Sequence, residues 1–187
     1  MKFDVVIIGG GLSGCTAAKR LLDEGKSCVV VAEGLSLEGK EARKEYLSLS
    51  GLLLPGDAVI GGNRSGSKLE YVKTRNLGET LLEADFFILA TGKFFSKGLV
   101  ATISRIYEPI FGCDVEYEKD RSKWCNPDFY AEQPFESFGV RTDEHSRVYI
   151  GGEVMDNLYA VGEILSGKCD IRESALKVAE EICRKQI

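Results

Sequence analysis

The stretch Asp4-Val5-Val6-Ile7-Ile8-Gly9-Gly10-Gly11-Leu12-Ser13-Gly14 decides the fold class. Val5 to Ile8 is an unbroken β-branched run, the mark of a strand buried on both faces. Glycines follow at once, and then Leu12 to Glu24 carries Cys15, Ala18, Leu21 and Leu22 at helical spacing. Gly25 stands where a helix-terminating glycine belongs, and Ser27 to Ala32 reads as a second buried strand. Two such strands joined by a helix should lie parallel. The expected class is therefore α/β, a Rossmann-like domain with a parallel sheet.

Within that unit, Gly9-x-Gly11-x-x-Gly14 sits between strand and helix, where a dinucleotide fingerprint requires it. Gly9 permits the tight turn, Gly11 lets backbone approach a pyrophosphate, and Gly14 lets the helix pack on the strands. Leu12 and Ser13 open the helix, whose free N–H groups and positive dipole end suit phosphate. Glu33 lies 19 residues after Gly14, at the end of the second strand, with Gly34 beside it. A carboxylate there accepts hydrogen bonds from ribose hydroxyls and disfavours a phosphorylated ribose. Glycines making only a tight turn are the bland alternative, and Glu33 at the right distance weighs against it. Cys15 is in the first helical turn, where a dipole can lower a thiol pKa; a small residue facing the sheet is the plainer reading.

Further along, Gly34 to Ser50 is charged with weak periodicity and reads as a short helix or loop. Asp57–Ile60 and Lys68–Thr74 read as strands of a hairpin region at about 52–76, with Gly61 to Gly66 as its turn. Phe86 to Ala90 and Asn157 to Val161 are buried strands ending at Thr91-Gly92 and Gly162-Glu163. Phe138–Thr142 and Val148–Ile150 can pair around a polar turn. Asp170 opens a helix with Ile171, Ala175, Leu176, Val178, Ala179, Ile182 and Cys183 on one face. Residues 93–136 hold three of the four prolines and Trp124 and show no period.

Composition excludes several classes. With 24 Lys+Arg against 29 Asp+Glu the net charge is −5, and no basic stripe suits nucleic acid. The longest apolar runs fall far short of the about 20 residues that span a bilayer. No export signal is evident, so a cytoplasmic location is expected, with six reduced cysteines. No metal site is expected.

Three motifs in order separate a flavin from a nicotinamide nucleotide. After the glycine loop, Ile88-Leu89-Ala90-Thr91-Gly92 resembles the "ATG" motif of two-dinucleotide-binding flavoproteins, and Asn157 to Glu163 resembles their late motif. The resemblance implies that Gly162 and Glu163 meet the ribityl chain, Ala90 to Gly92 line the cofactor, and Val59 holds the adenine by backbone contacts. Closer still, Leu54-Pro55-Gly56-Asp57-x-Val59, Thr74-Arg75-Asn76, Ala90 to Val100, Glu108 to Val115 and Phe138 to Asp143 resemble the B-type subunit of anaerobic glycerol-3-phosphate dehydrogenase. That likeness covers residues 1 to about 36 and about 50 to 165. It implies a flavin-carrying subunit, joined by a catalytic A-type subunit and a membrane-associated iron–sulfur C-type subunit. Together these oxidise glycerol 3-phosphate to dihydroxyacetone phosphate and pass electrons to quinone, peripheral to the inner membrane. The cofactor is expected to be FAD, with FMN as the alternative. Other readings are a flavin-binding accessory module without its own catalysis, or an FAD-dependent oxidoreductase of another substrate.

Two departures from that family stand out. Its large inserted domain is reduced here to residues 34 to about 50, which would leave a flavin ring open to solvent. Its glycine-rich run before the last helix reads Leu165-Ser166-Gly167-Lys168-Cys169-Asp170, placing an acid where an anionic reduced flavin would be repelled. His145, the only histidine, reads as a solvated turn residue rather than a general base. Among Arg141, Arg105, Lys93 and Lys97, Lys93 is expected nearest the flavin, while Phe94 and Phe95 read as core. The sequence identifies no catalytic residue.

Overall fold

The buried β-branched runs assemble into one mixed sheet in a computed structural model, of which residues 1–185 are described. In chain order the elements are β1 (Lys2–Ile8), α1 (Leu12–Asp23), β2 (Cys28–Ala32), α2 (Lys40–Ser48), β3 (Leu52–Pro55), β4 (Val59–Ser65), β5 (Lys68–Thr74) and β6 (Leu82–Leu89). Short strands β7 (Val100–Ala101), β8 (Ile106–Tyr107), β9 (Val115–Glu116) and β10 (Gly139–Val140) follow, then β11 (Arg147–Ile150), β12 (Glu153–Ala160) and α3 (Ile171–Arg184). The sheet runs β11-β12-β6-β1-β2-β3, parallel except for β11. The result is a mixed α/β fold with parallel and antiparallel parts.

Alternation along β1 splits its side chains between two cores. Val5 and Ile7 pack with Ala17, Ala18 and Leu21 of α1, Tyr46 of α2, and Ala175, Val178 and Ile182 of α3. Val6 and Ile8 face the opposite layer, where Val59, Val72, Leu99, Trp124 and Phe138 cover the sheet. Trp124 thereby anchors the otherwise irregular segment around it. Its ring meets Tyr117 and Phe138 edge-on, and its Nε1 donates to Glu118 O at 2.6 Å.

Several sequence expectations are corrected by this packing. The hairpin is narrower than 52–76, because β3 leaves it and pairs parallel with β2. Gly61 to Ser65 are strand, not turn; only Gly66 and Ser67 turn the chain. Phe138–Thr142 and Val148–Ile150 touch through a Thr142–Val148 bridge, but their main partners are β9 and β12. On α3, Leu176 is exposed and leaves the apolar face, while Ala175, Val178, Ala179 and Ile182 are buried and Cys183 packs half-buried against the same core. The Asp170 cap forms as expected, with its carboxylate accepting from Glu173 N at 2.8 Å.

One junction needs a buried polar group. β6 pairs with β5 over its first residues and with β12 over its last, so a fork opens between them. Asn157 fills it: Oδ1 accepts from Leu69 N at 2.8 Å, and Nδ2 donates to Leu69 O at 2.9 Å and Asp85 O at 3.0 Å.

Candidate functional site

The parallel strands β1, β2 and β6 end side by side, and the loops that leave them surround a cavity of about 950 Å³. At the centre is the glycine loop. Gly9 has φ +117°, which an L side chain rarely adopts, and its backbone lies against Ala90. Gly14 packs on Gly9 itself, so α1 starts hard against the end of β1. A Cβ on Gly11 would meet only Ser36 Oγ, at 3.8 Å, leaving the backbone open to an incoming group. No side chain caps α1 and no acid stands in its first turn. Its leading N–H groups therefore remain available to an anion.

Of the sequence-derived site residues, Gly9, Gly11, Leu12, Ser13, Glu33, Gly34, Val59, Ala90, Thr91, Gly92 and Glu163 line this cavity. Gly14 and Gly162 are set behind the wall, and a Cβ on Gly162 would collide with Ser13. Thr91 Oγ1 is buried without a hydrogen-bond partner, one of two such side-chain atoms among the described residues.

One oxygen of the Glu33 carboxylate is already engaged. Its Oε1 lies 3.0 Å from Arg75 Nη2 and 3.6 Å from Lys97 Nζ, two cations from loops on either side of it. The Arg75 hydrogen bond, aided by Lys97, holds the Glu33 carboxyl below the usual range against a smaller opposing effect of burial. Sequence reading missed Arg75 except as part of a motif; its partner is 42 residues away and only folding joins them.

Two other sequence expectations, those for Lys93 and Phe95, fail on geometry. Lys93 is absent from the cavity wall: its ammonium donates to Glu136 O, and burial pushes its pKa down. Lys97 takes the place expected of it. Arg141 stacks over Tyr149 at 4.2 Å and Arg105 over Tyr107 at 4.9 Å, neither at the cavity. His145 sits near Glu144 and Glu181, at 3.7 Å from each, away from the cavity wall. Phe94 packs on Phe135, but Phe95 is fully exposed at the cavity mouth. Cys15 is no activated thiol; burial pushes it up to about 11 despite Arg43 nearby. Among the described residues no group of three His, Cys, Asp or Glu could hold a metal, and no helix is long and apolar enough to cross a membrane.

A family model described as "FAD binding domain" matches residues 4–59 and 48–173. The chain belongs to the FAD binding domain family. Relatives of this FAD binding domain include the B-type subunit of anaerobic glycerol-3-phosphate dehydrogenase from Yersinia enterocolitica serotype O:8 / biotype 1B. It is 38% identical over 149 residues, which cover 75% of this chain and 35% of that protein. The corresponding protein of Vibrio vulnificus (strain YJ016) is 41% identical over 137 residues, covering 72% of this chain and 31% of the Vibrio protein. The chain thus spans about a third of the length of the curated relatives it matches. An oxidoreductase from Agrobacterium tumefaciens shares the fold, with a TM-score of 0.61 at 14% identity over 98% of both chains.

The residues present fit the adenine dinucleotide of such a family. The open face of Gly11, the uncapped N-terminus of α1 and the orphaned Thr91 hydroxyl all stand in the wall of one cavity. Glu33 and Val59 would hold the adenosine half, the glycine loop the diphosphate, and Glu163 the ribityl side.

Proposed function

We propose that this chain binds FAD in the cavity between the ends of β1, β2 and β6. It would serve as the flavin-carrying part of an oxidoreductase, relaying electrons from glycerol 3-phosphate oxidation toward quinone. The observation that carries this reading is 38–41% identity to the B-type subunits of anaerobic glycerol-3-phosphate dehydrogenase over 72–75% of this chain. Bound flavin supplies reversible two-electron acceptance. The chain's own residues bind and orient it: the glycine-loop amides meet the diphosphate, Glu33 the ribose, and Glu163 the polyol chain. FAD is favoured over FMN because the cavity wall continues past the glycine loop to Glu33, Val59 and Arg75, a length that FMN would leave empty. No residue here is assigned to proton transfer. Catalytic A-type and membrane-associated C-type partners would supply the substrate site and the route to quinone, placing the complex at the cytoplasmic face of the inner membrane.

The test is the visible spectrum of the purified protein, with heat release and chromatography of the bound compound. FAD, and its reduction by glycerol 3-phosphate only when an A-type partner is present, is the expected result. FMN would remove Glu33 from the binding role. A colourless protein that also refuses added flavin would end the redox reading.

Glu33 gives a pH signature of its own. Because its carboxyl pKa is depressed, it stays ionised and accepting from neutral pH down through about 4.3, the ordinary glutamate value. Its contribution to FAD affinity therefore persists to lower pH than an ordinary glutamate's would, and is lost as pH falls through the lowered pKa. Glu33→Gln should weaken FAD about 5- to 10-fold at neutral pH, the scale of one hydrogen bond to a charged group at a partly exposed site. An FAD titration at several pH values, with circular dichroism to confirm folding, checks both. A wild-type contribution already half lost at about pH 4.3 would show that Glu33 titrates normally.

A further inference from the structure

Helix α2 occupies the region that sequence alone left as helix or loop; its Tyr46 packs into the core, and its first turns meet the glycine loop. Arg43 Nη1 donates to Gly10 O at 3.2 Å and to Ser36 O at 3.3 Å, and Nη2 donates to Ser36 O at 3.4 Å. Cys15 Sγ donates to the same Gly10 carbonyl at 3.5 Å. Gly39, at the start of α2, is seated so closely that a Cβ on it would stand 2.8 Å from Gly11 C and 2.9 Å from Leu12 N. Gly39 N in turn donates to Ser36 Oγ at 3.1 Å. Gly39 and Arg43 therefore brace the glycine loop, while Ser36 and Glu38 between β2 and α2 line the cavity.

The direction of these bonds matters. In a planar trans peptide the carbonyl and the following N–H point opposite ways. With the Gly10 carbonyl held by Arg43, the Gly11 N–H is turned to the other side, and it has no acceptor among the described residues. The charge pattern makes the same point. The ionised groups lining the cavity are Glu33, Glu38, Asp57 and Glu163 against Arg75 and Lys97, and both cations sit with Glu33. Among the described residues no lining cation stands at the glycine loop, while Glu38 adds a negative charge to the lining beside it. The cation at the glycine loop is Arg43, one peptide behind it.

We propose that Arg43 is a positioning residue for the diphosphate, orienting the Gly10–Gly11 peptide and supplying positive charge through it. The proposal rests on the nucleotide-binding reading of the cavity. It assigns part of the binding strength to α2, an element outside the glycine fingerprint.

The experiment titrates the full chain and its Arg43→Gln and Arg43→Lys variants with adenosine, ADP and FAD by calorimetry. Melting temperatures are recorded for each. Arg43→Gln is expected to weaken ADP and FAD about ten- to thirtyfold, the range of a lost charge-assisted contact. Adenosine, which carries no phosphate, should change less than about twofold in the same variant. Arg43→Lys should recover part of the ADP affinity, because the charge returns without the forked geometry. Equal weakening of adenosine and ADP would mean that Arg43 only holds the fold, and would overturn the proposal. So would unchanged ADP binding in both variants. A wild-type chain that binds ADP but not FAD leaves this inference standing and removes the flavin reading. One that binds neither removes both.

Discussion

Gly9→Ala is expected to lose about 3–5 kcal/mol of stability and to hold no nucleotide, from two penalties acting together. The first is conformational. At φ +117° a side-chain-bearing residue is strained, at about 1–3 kcal/mol. The second is steric. A Cβ there runs into the Ala90 carbonyl and comes within 3.1 Å of Thr91 N. Neither strand can step aside, because Ala90 N is bonded to Ile8 O at 2.8 Å and Gly9 N to Val31 O at 2.8 Å. Forcing atoms into such a packed site costs a further about 1–3 kcal/mol. Against a typical total of about 5–15 kcal/mol the loss is severe. Gly34→Ala is the control, since Gly34 also lines the cavity but has negative φ and no atom within 4 Å of a Cβ. Urea denaturation of both variants decides the matter. Equal midpoints for the two would show that the turn tolerates a side chain, contrary to its geometry.

Asn157→Ala is expected to cost about 3–5 kcal/mol, because it strands three backbone groups at once. Leu69 N–H, Leu69 C=O and Asp85 C=O all depend on this side chain, in a place where Asn157 is 6% exposed. Each buried group left without a partner costs about 1–3 kcal/mol, and the cavity left by truncation admits some water. Asn157→Asp gives a sharper readout. An ionised carboxylate can still accept from Leu69 N–H but must face two carbonyl oxygens, so the variant's acid pKa should rise above the unfolded value. The native state then binds more protons than the unfolded one, and stability should fall as pH rises through the usual carboxylate range. Denaturation of the variant at several pH values checks the sign. A pH-independent Asn157→Asp, or an Asn157→Ala within about 1 kcal/mol of wild type, would show that water replaces the amide fully.

These effects concern residues that local pattern reading treats differently. Gly9 was legible because a turn from a buried strand into a helix leaves its mark within a few positions. Its neighbours Gly11 and Gly14, and Glu33 one strand later, were legible for the same reason. Asn157 was visible only as the first residue of an apolar run. Its importance comes from a fork between β5, β6 and β12, and a side-chain bond to Leu69, 88 residues away, writes nothing into local periodicity. Lys93 and Lys97 illustrate the limit from the other side. Both are lysines in one short loop, four residues apart, and which of them faces the cavity depends on how the loop folds back. The loop's path is set by Gly98 packing on Gly92 and by Lys97 adopting φ +63°.

Sequence alone determined what short-range chemistry can specify: buried strands from β-branched runs, a glycine loop opening a helix, an acid at the end of the second strand, and two later strands ending in small residues. Those features are enough to assign an α/β fold and to pick out part of the cavity wall, because each is encoded within about ten neighbouring residues. Only the tertiary structure decided the rest. It put β3 beside β2 rather than in the hairpin, tied Glu33 to Arg75 and Lys97, and set Arg43 behind the Gly10 carbonyl. In each case the partners are groups far apart in the chain. Their meeting is settled by where the two apolar cores force the elements to pack.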